Sequence, residues 1–343
     1  MPQMRALPDR QRALCLQAKE QGLEMDWVYA GLGLVILLLA GDALVKGAVN
    51  LSLRLGVPAL IVSLTIVAFG TSAPELLIAI QAIHDGAPGL ALGNVVGSNT
   101  ANVLLVLGLP ALIATFHTSE CDTRKNYLFM MFATLLFIAM CFLGPITWIH
   151  GVVLLAALGF VLSDSFLEAR SHRRESKIAC AAAEDLEEIE GADLDMPWWQ
   201  IGVFMVLGLI GLPLGANLLV EGAVNIATDY GVSDTVIGLT LVAVGTSLPE
   251  LATTVMAVIR RQADVALGNV IGSNMFNLLA IIGIASFVGD IPVADGILRF
   301  DLWVMLASSA LLIPFVFLKQ NITKGWGVVL SAAYAAYIVV ILV

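Results

Sequence analysis

The chain reads as an all-α polytopic membrane protein of ten transmembrane helices, arranged as two inverted five-helix repeats in which helices 2 and 7 are interrupted. Hydrophobic residues fill 59% of its 343 positions and charged residues 13%, against about a quarter charged in a soluble domain. Apolar runs recur that can cross ~30 Å of hydrocarbon, a distance that takes about 20 helical residues. One stretch also occurs twice, as GTSAPEL at Gly70–Leu76 and GTSLPEL at Gly245–Leu251, each followed at the same distance by GN-x-x-GSN-x-x-N. Between Leu64–Gly108 and Leu239–Gly283, aligned without a gap at an offset of 175, 22 of 45 positions are identical.

Residues 1–26 form an N-terminal tail with no apolar core of signal-peptide length. Met25-Asp26-Trp27 opens directly into the first span, so the tail reads as an upstream extension of a chain that starts at Met25. Spans are expected to begin near Trp27, Val57, Ala87, Tyr127 and Ile146, giving a first repeat over 27–167. A connector follows over 168–197. It joins the basic run Arg170 to Lys177 to an acidic run that includes Glu184, Glu187, Glu188 and Glu190, a pattern that reads as a solvated linker. The second repeat, 198–343, has spans expected near Trp198, Val232, Asp264, Leu298 and Ile322. The runs are continuous and not alternating, which excludes a barrel.

Five spans per repeat bring the chain into its second half from the opposite side of the membrane, so the halves are inverted. That plan, with broken helices meeting near the midplane, is one of secondary transporters. Placing both termini outside the cytoplasm puts 12 of the 17 Lys and Arg residues on the cytoplasmic side. The cell membrane is the expected location. The four cysteines show no pair spacing and are expected to form no disulfide framework or metal cluster.

The second span, about Val57 to His84, and the seventh, about Val232 to Arg260, each carry Gly-Thr-Ser-x-Pro-Glu near the middle. Proline removes an N–H and crowds the preceding turn, and glycine tolerates unusual dihedrals, so the helices should open around Gly70–Pro74 and Gly245–Pro249. Freed carbonyls at that depth need a cation or a water-lined cavity. Directly after each break stands a carboxylate, Glu75 or Glu250. Facing lipid, such a group would cost ~2.5–3.5 kcal/mol or more. A protonated, hydrogen-bonded Glu would serve as a structural element, but two at equivalent positions, each beside hydroxyls, point to a cation site.

In the third and eighth spans Asn94, Ser98 and Asn102, and again Asn269, Ser273 and Asn277, recur every four residues and line one helical face. Gly93 and Gly97, with Gly268 and Gly272, form GxxxG pairs expected to bring that stripe close to the broken helices. Two carboxylates, the hydroxyls of Thr71, Ser72, Thr246, Ser247, Ser98 and Ser273, and the amide oxygens of Asn102 and Asn277 make a hard, all-oxygen donor set. It suits Ca²⁺, which takes about 6–8 oxygens, better than Zn²⁺ or Cu²⁺, and Na⁺ prefers the same ligand type. Two negative charges also match one divalent ion.

At these residues the chain resembles the calcium/cation antiporter superfamily, and within it the sodium/calcium exchanger branch, as a compact prokaryotic-type member. The resemblance rests on both copies of GTS-x-PE and GN-x-x-GSN-x-x-N, in repeat regions covering 42–108 and 217–283. It implies that Glu75 and Glu250 are the central acidic ligands and that Thr71, Ser72, Ser98 and Asn102, with Thr246, Ser247, Ser273 and Asn277, complete the calcium and sodium sites. It also implies that the first and sixth spans slide across the core to alternate access. Potassium-using members carry an acidic residue where Asn277 stands, and proton-coupled relatives have GNA-x-E where this chain has Gly93-Asn94-Val95-Val96-Gly97. Sodium coupling is therefore the expectation.

The expected activity is Ca²⁺/Na⁺ antiport, with a proton-coupled antiporter as the alternative and a passive cation channel behind it. An enzyme is not expected, since no catalytic triad or paired-aspartate arrangement recurs at membrane depth. The expected partners are the two ions and the lipid bilayer, with no cofactor, no nucleic acid and no obligate protein partner. Asp42, opposite Asn217 in the repeat, has no assigned role at this stage.

Overall fold

The structure, a computed structural model, describes residues 9–118, 123–179, 193, 196–232 and 243–342. Among them nine helices are long and apolar enough to cross a membrane: α1 (Glu24–Leu55), α2 (Ala59–His84), α3 (Pro88–Ile113), α4 (Arg124–Phe142), α5 (Trp148–Ser171), α6 (Trp198–Asp229), α8 (Ala263–Ala285), α9 (Ile297–Phe317) and α10 (Lys324–Ile341). The shorter apolar helix Leu248–Ile259, here α7, follows a short turn of helix at Ala243–Gly245. The first part of the expected seventh span, 233–242, lies outside the described residues, as does the acidic run of the connector apart from Asp193. The helical rod that contains α1 runs back to Asp9, and the one that contains α5 continues to Ala179.

The halves meet as an inverted pair, and the same contacts recur on both sides of it. Phe116, after α3, and Ile322, before α10, exchange backbone hydrogen bonds of 3.0 and 3.2 Å, while Ile146, before α5, and Ile291, before α9, exchange two of 2.9 Å. Phe116 and Ile291 are repeat equivalents.

The longest mutual packing is between α1 and α6. It follows a glycine stripe that is itself duplicated: Gly33 with Gly208, and Gly47 with Gly222. A Cβ at Gly33 would lie 2.4 Å from the Leu219 backbone nitrogen, and its counterpart at Gly208 would lie 2.5 Å from Leu44 Cβ. Gly222 approaches the Asp26 carbonyl and Gly47 approaches Met205 in the same way. With lipid on one side there is no solvent-driven reason for two apolar helices to pair, so close backbone approach and dispersion supply the attraction. The zipper makes α1 and α6 one antiparallel unit laid against the remaining helices.

Within those remaining helices α8 is central, its apolar window wholly buried. Its GxxxG pair does what the sequence predicts. A Cβ at Gly268 would lie 2.9 Å from the Leu60 carbonyl oxygen, and one at Gly272 would lie 2.5 Å from that of Leu64, so α8 meets the first half of α2 backbone to backbone. The matching expectation for Gly93 and Gly97 falls on contacts with residues outside the described set. Gly93 is exposed, no described atom comes within 4 Å of a Cβ at either glycine, and both border a cavity of about 390 Å³. The repeat equivalents of Leu60, Ser63 and Leu64 are residues 235, 238 and 239, which lie outside the described set.

Candidate cation-binding site

The break covers Ser72 alone in α2, and both Thr246 and Ser247 ahead of α7. Ser72 (φ −86°, ψ 3°) and Ser247 (φ −89°, ψ 4°) leave helical geometry in the same way, and a 12-residue helix restarts directly after each. The opening is narrower than the expected span from glycine to proline. Pro74 and Pro249 sit in the first turn of the new helix, where a missing N–H costs little, and neither can donate to the carbonyl four residues back, at Gly70 or Gly245. Gly70 and Gly245 serve close approach and not dihedral freedom. A Cβ at Gly70 would meet the Leu209 side chain of α6 and one at Gly245 would meet Val220.

Glu75 and Glu250 lie in the first turn of the restarted helices, so each carboxylate stands at a helix N-terminus, whose partial positive charge favours an anion. They are 1% and 0% exposed. Ser72 Oγ donates to Glu250 Oε1 at 3.2 Å, which ties the break of α2 to the carboxylate of α7.

The stripe helices join both breaks. Thr71 Oγ1 donates to Asn269 Oδ1 of α8 at 3.2 Å and lies 3.4 Å from Ser273 Oγ, and its repeat partner Thr246 Oγ1 donates to Asn94 Oδ1 of α3 at 3.5 Å. Between α3 and α8 the hydrogen bonds are reciprocal. Asn102 Nδ2 donates to Asn274 Oδ1 and Asn277 Nδ2 to Asn99 Oδ1, both at 3.1 Å. Asn99 and Asn274 each donate an Nδ2 to the other's backbone carbonyl at 3.4 Å. Their second contacts are also equivalent, to Met305 Sδ and Met130 Sδ. The pseudo-twofold axis passes through this asparagine quartet, and the ring α2–α7–α3–α8 closes around it.

Asn99 and Asn274 lie off the i, i+4, i+8 stripe, so the sequence reading passed over them as ligands. Their job is orientation. By accepting the amide N–H groups of Asn102 and Asn277, they leave the Oδ1 atoms of those residues free. The signal available in the sequence was their identity in both repeats, three residues before Asn102 and Asn277.

Six buried side-chain oxygens of the set have no hydrogen-bond partner among the described residues: Glu75 Oε2, Glu250 Oε2, Ser98 Oγ, Ser247 Oγ, Asn102 Oδ1 and Asn277 Oδ1. Each such atom costs about 1–3 kcal/mol if left unsatisfied, more when charged. Four of the six, on Glu75, Glu250, Asn102 and Asn277, can only accept while the glutamates are ionised, and a hard cation such as Ca²⁺, which takes about 6–8 oxygens, would satisfy such a set. Asn94 Nδ2 is also unpartnered among the described residues. The helix ends add to this. Ala101 and Phe276, one residue before Asn102 and Asn277, open wide turns: Val106 N bonds Ala101 O five residues back at 2.9 Å, and a π-helix covers Phe276–Ile281. Such turns recur at functional sites because they re-aim side chains.

The family model described as sodium/calcium exchanger protein matches residues 25–166 and again 201–343. The chain belongs to this family. Sodium/calcium exchanger MaX1 of Methanosarcina acetivorans is 35% identical over 343 residues, covering 90% of this chain and 96% of its own length. Inner membrane protein YrbG of Escherichia coli is 28% identical over 89% of the chain. Among solved structures, the sodium-calcium exchanger NCX_Mj soaked with 2.5 mM Na⁺ and 10 mM Sr²⁺ superposes with a TM-score of 0.77 at 31% identity, over 92% of this chain and 99% of that one. This family member is a multi-pass membrane transporter of the cation/calcium antiporter class and not an enzyme.

Proposed function

We propose that the protein exchanges Ca²⁺ for Na⁺ by alternating access, at a site built from Glu75, Thr71, Ser72, Ser98 and Asn102 of one repeat and Glu250, Thr246, Ser247, Ser273 and Asn277 of the other. The six buried oxygens without a hydrogen-bond partner among the described residues carry this reading, because they join two carboxylates to neutral oxygens in the buried interior. The repeats of the proposal are 27–167 and 198–343, with both chain termini outside the cytoplasm.

Ca²⁺ and Na⁺ compete for the same oxygens. With both carboxylates ionised, an empty site carries two negative charges, and moving an apolar surface across them leaves that charge buried and uncompensated. One Ca²⁺ or a pair of Na⁺ neutralises it, so the α1–α6 pair crosses the core only over a loaded site. Exchange follows, not uniport. Sodium as the driving ion is supported by the neutral Asn94–Gly97 stretch, which offers no second carboxylate for a proton, and by the printed names of MaX1 and NCX_Mj.

The test is radiolabelled calcium uptake into sodium-loaded proteoliposomes diluted into sodium-free and potassium-free medium at equal pH. Uptake that needs internal sodium and is lost in Glu75→Gln is the expected result. Uptake that ignores sodium and follows an imposed pH gradient would move the protein to proton coupling, and flux down the calcium gradient alone would make it a channel.

A further inference from the structure

Arg260 caps the end of α7, and its Nε donates to the Asp42 carboxylate, midway along α1, at 2.5 Å. Both side chains are partly buried, at 24% and 32% exposed. This ion pair joins the α1–α6 unit to the helix that carries Glu250. Around it α1 is seated on α7: a Cβ at Gly41 would lie 2.9 Å from the Ala252 carbonyl oxygen, and Ala252 is 6% exposed.

The repeat equivalents of these positions are Asn217 for Asp42, Asp85 for Arg260 and Leu77 for Ala252. Asn217 and Asp85 are both exposed, and Leu77 is 67% exposed. Asp85 accepts two hydrogen bonds from Gln81, on its own helix. So α6 stands away from the second half of α2 where α1 covers the second half of α7. In an inverted repeat, exchanging the conformations of the two halves produces the opposite access state. In that state position 217 would approach position 85, an amide against a carboxylate, and Asp42 would leave Arg260. The ion pair thus exists in one state only, because the duplicated sequence has diverged at both ends of the contact.

We propose that Asp42 and Arg260 are positioning residues that latch α1 to α7 and bias the transporter toward the access state seen here. This rests on the alternating-access reading above. A partly exposed pair shifts a two-state ratio by about threefold to fivefold.

The measurement is the separation of α6 from α2, by double electron-electron resonance in lipid nanodiscs. Spin labels would be placed at His84→Cys and Leu214→Cys, both exposed, with the four native cysteines replaced by serine. Asp42→Asn and Arg260→Gln should each raise the short-distance fraction about threefold, and the exchanged pair Asp42→Arg with Arg260→Asp should return it toward the parent value. An unchanged distribution in both single variants, a general broadening in place of growth of a short population, or a swap no better than the singles would overturn the latch. Calcium uptake by the wild-type chain in the proteoliposome assay is measured alongside. If sodium-dependent uptake is present and distances do not respond, the latch alone is wrong; if uptake is absent, the transport reading itself fails.

Discussion

α3 and α8 carry nearly the same motif, GNVVGSNTAN and GNVIGSNMFN, yet the apolar window of α8 is fully buried and that of α3 is 72% buried. Gly268 and Gly272 hold the backbone of α2, whereas Gly93 borders a cavity. The same inequality appears one layer out, where α1 covers Ala252 and α6 leaves Leu77 uncovered. Inside, at the asparagine quartet, the two halves are equivalent bond for bond. The molecule is symmetric at the asparagine quartet and unequal on either side of it, where Ser72 Oγ meets Glu250 while Ser247 Oγ has no partner among the described residues, and where the outer helices are placed differently.

Breaking the carboxylates shared between the halves should cost most. Glu75→Gln and Glu250→Gln are each expected to reduce exchange by at least about 100-fold while leaving the protein monodisperse in detergent, since either leaves a single carboxylate for a divalent charge. Robust calcium exchange by either variant would show that the two halves do not share the work. Next come the orienting residues. Asn99→Ala and Asn274→Ala each remove the acceptor that holds a ligand amide, and each should weaken calcium affinity by about tenfold, read as a rise in KM with little change in maximal rate. Equal losses are expected on the two sides, so a large difference between them would break the twofold description.

The asymmetric part is probed through stability. Gly272→Ala pushes a methyl group into the Leu64 carbonyl and should cost about 1–3 kcal/mol, seen as a lower thermal midpoint in detergent. Smallest is Gly70→Ala. Its new Cβ meets only the flexible end of Leu209, so a loss under about 1 kcal/mol is expected by the same measurement.

Much of this was legible in the chain because it is local. The repeated Gly-Thr-Ser-x-Pro-Glu marks where a helix ends and a new one starts on its proline turn, so Ser72 interrupts α2, and Thr246 with Ser247 interrupts the chain ahead of α7, as the motif predicts, although over one and two residues instead of five. The carboxylates, the hydroxyls and the four-residue stripe follow from the same local spacing. The glycine stripe of α1 and α6 was present too, as duplicated Gly33/Gly208 and Gly47/Gly222, but a glycine in a span becomes a contact only when a partner helix is known.

By itself, then, the sequence determined the membrane class, the inverted duplication, the two broken helices and an oxygen-rich donor set, each a property of spacing and polarity along one chain. Tertiary structure decided what depends on two chain segments meeting: which way the amides of Asn102 and Asn277 turn, that Gly268 and Gly272 meet the backbone of α2, and that Asp42 finds Arg260 while Asn217 stays clear of Asp85. The physical reason is that a hydrogen bond or a backbone contact is specified by relative position. Two identical motifs cannot reveal in advance which of them the packing will favour.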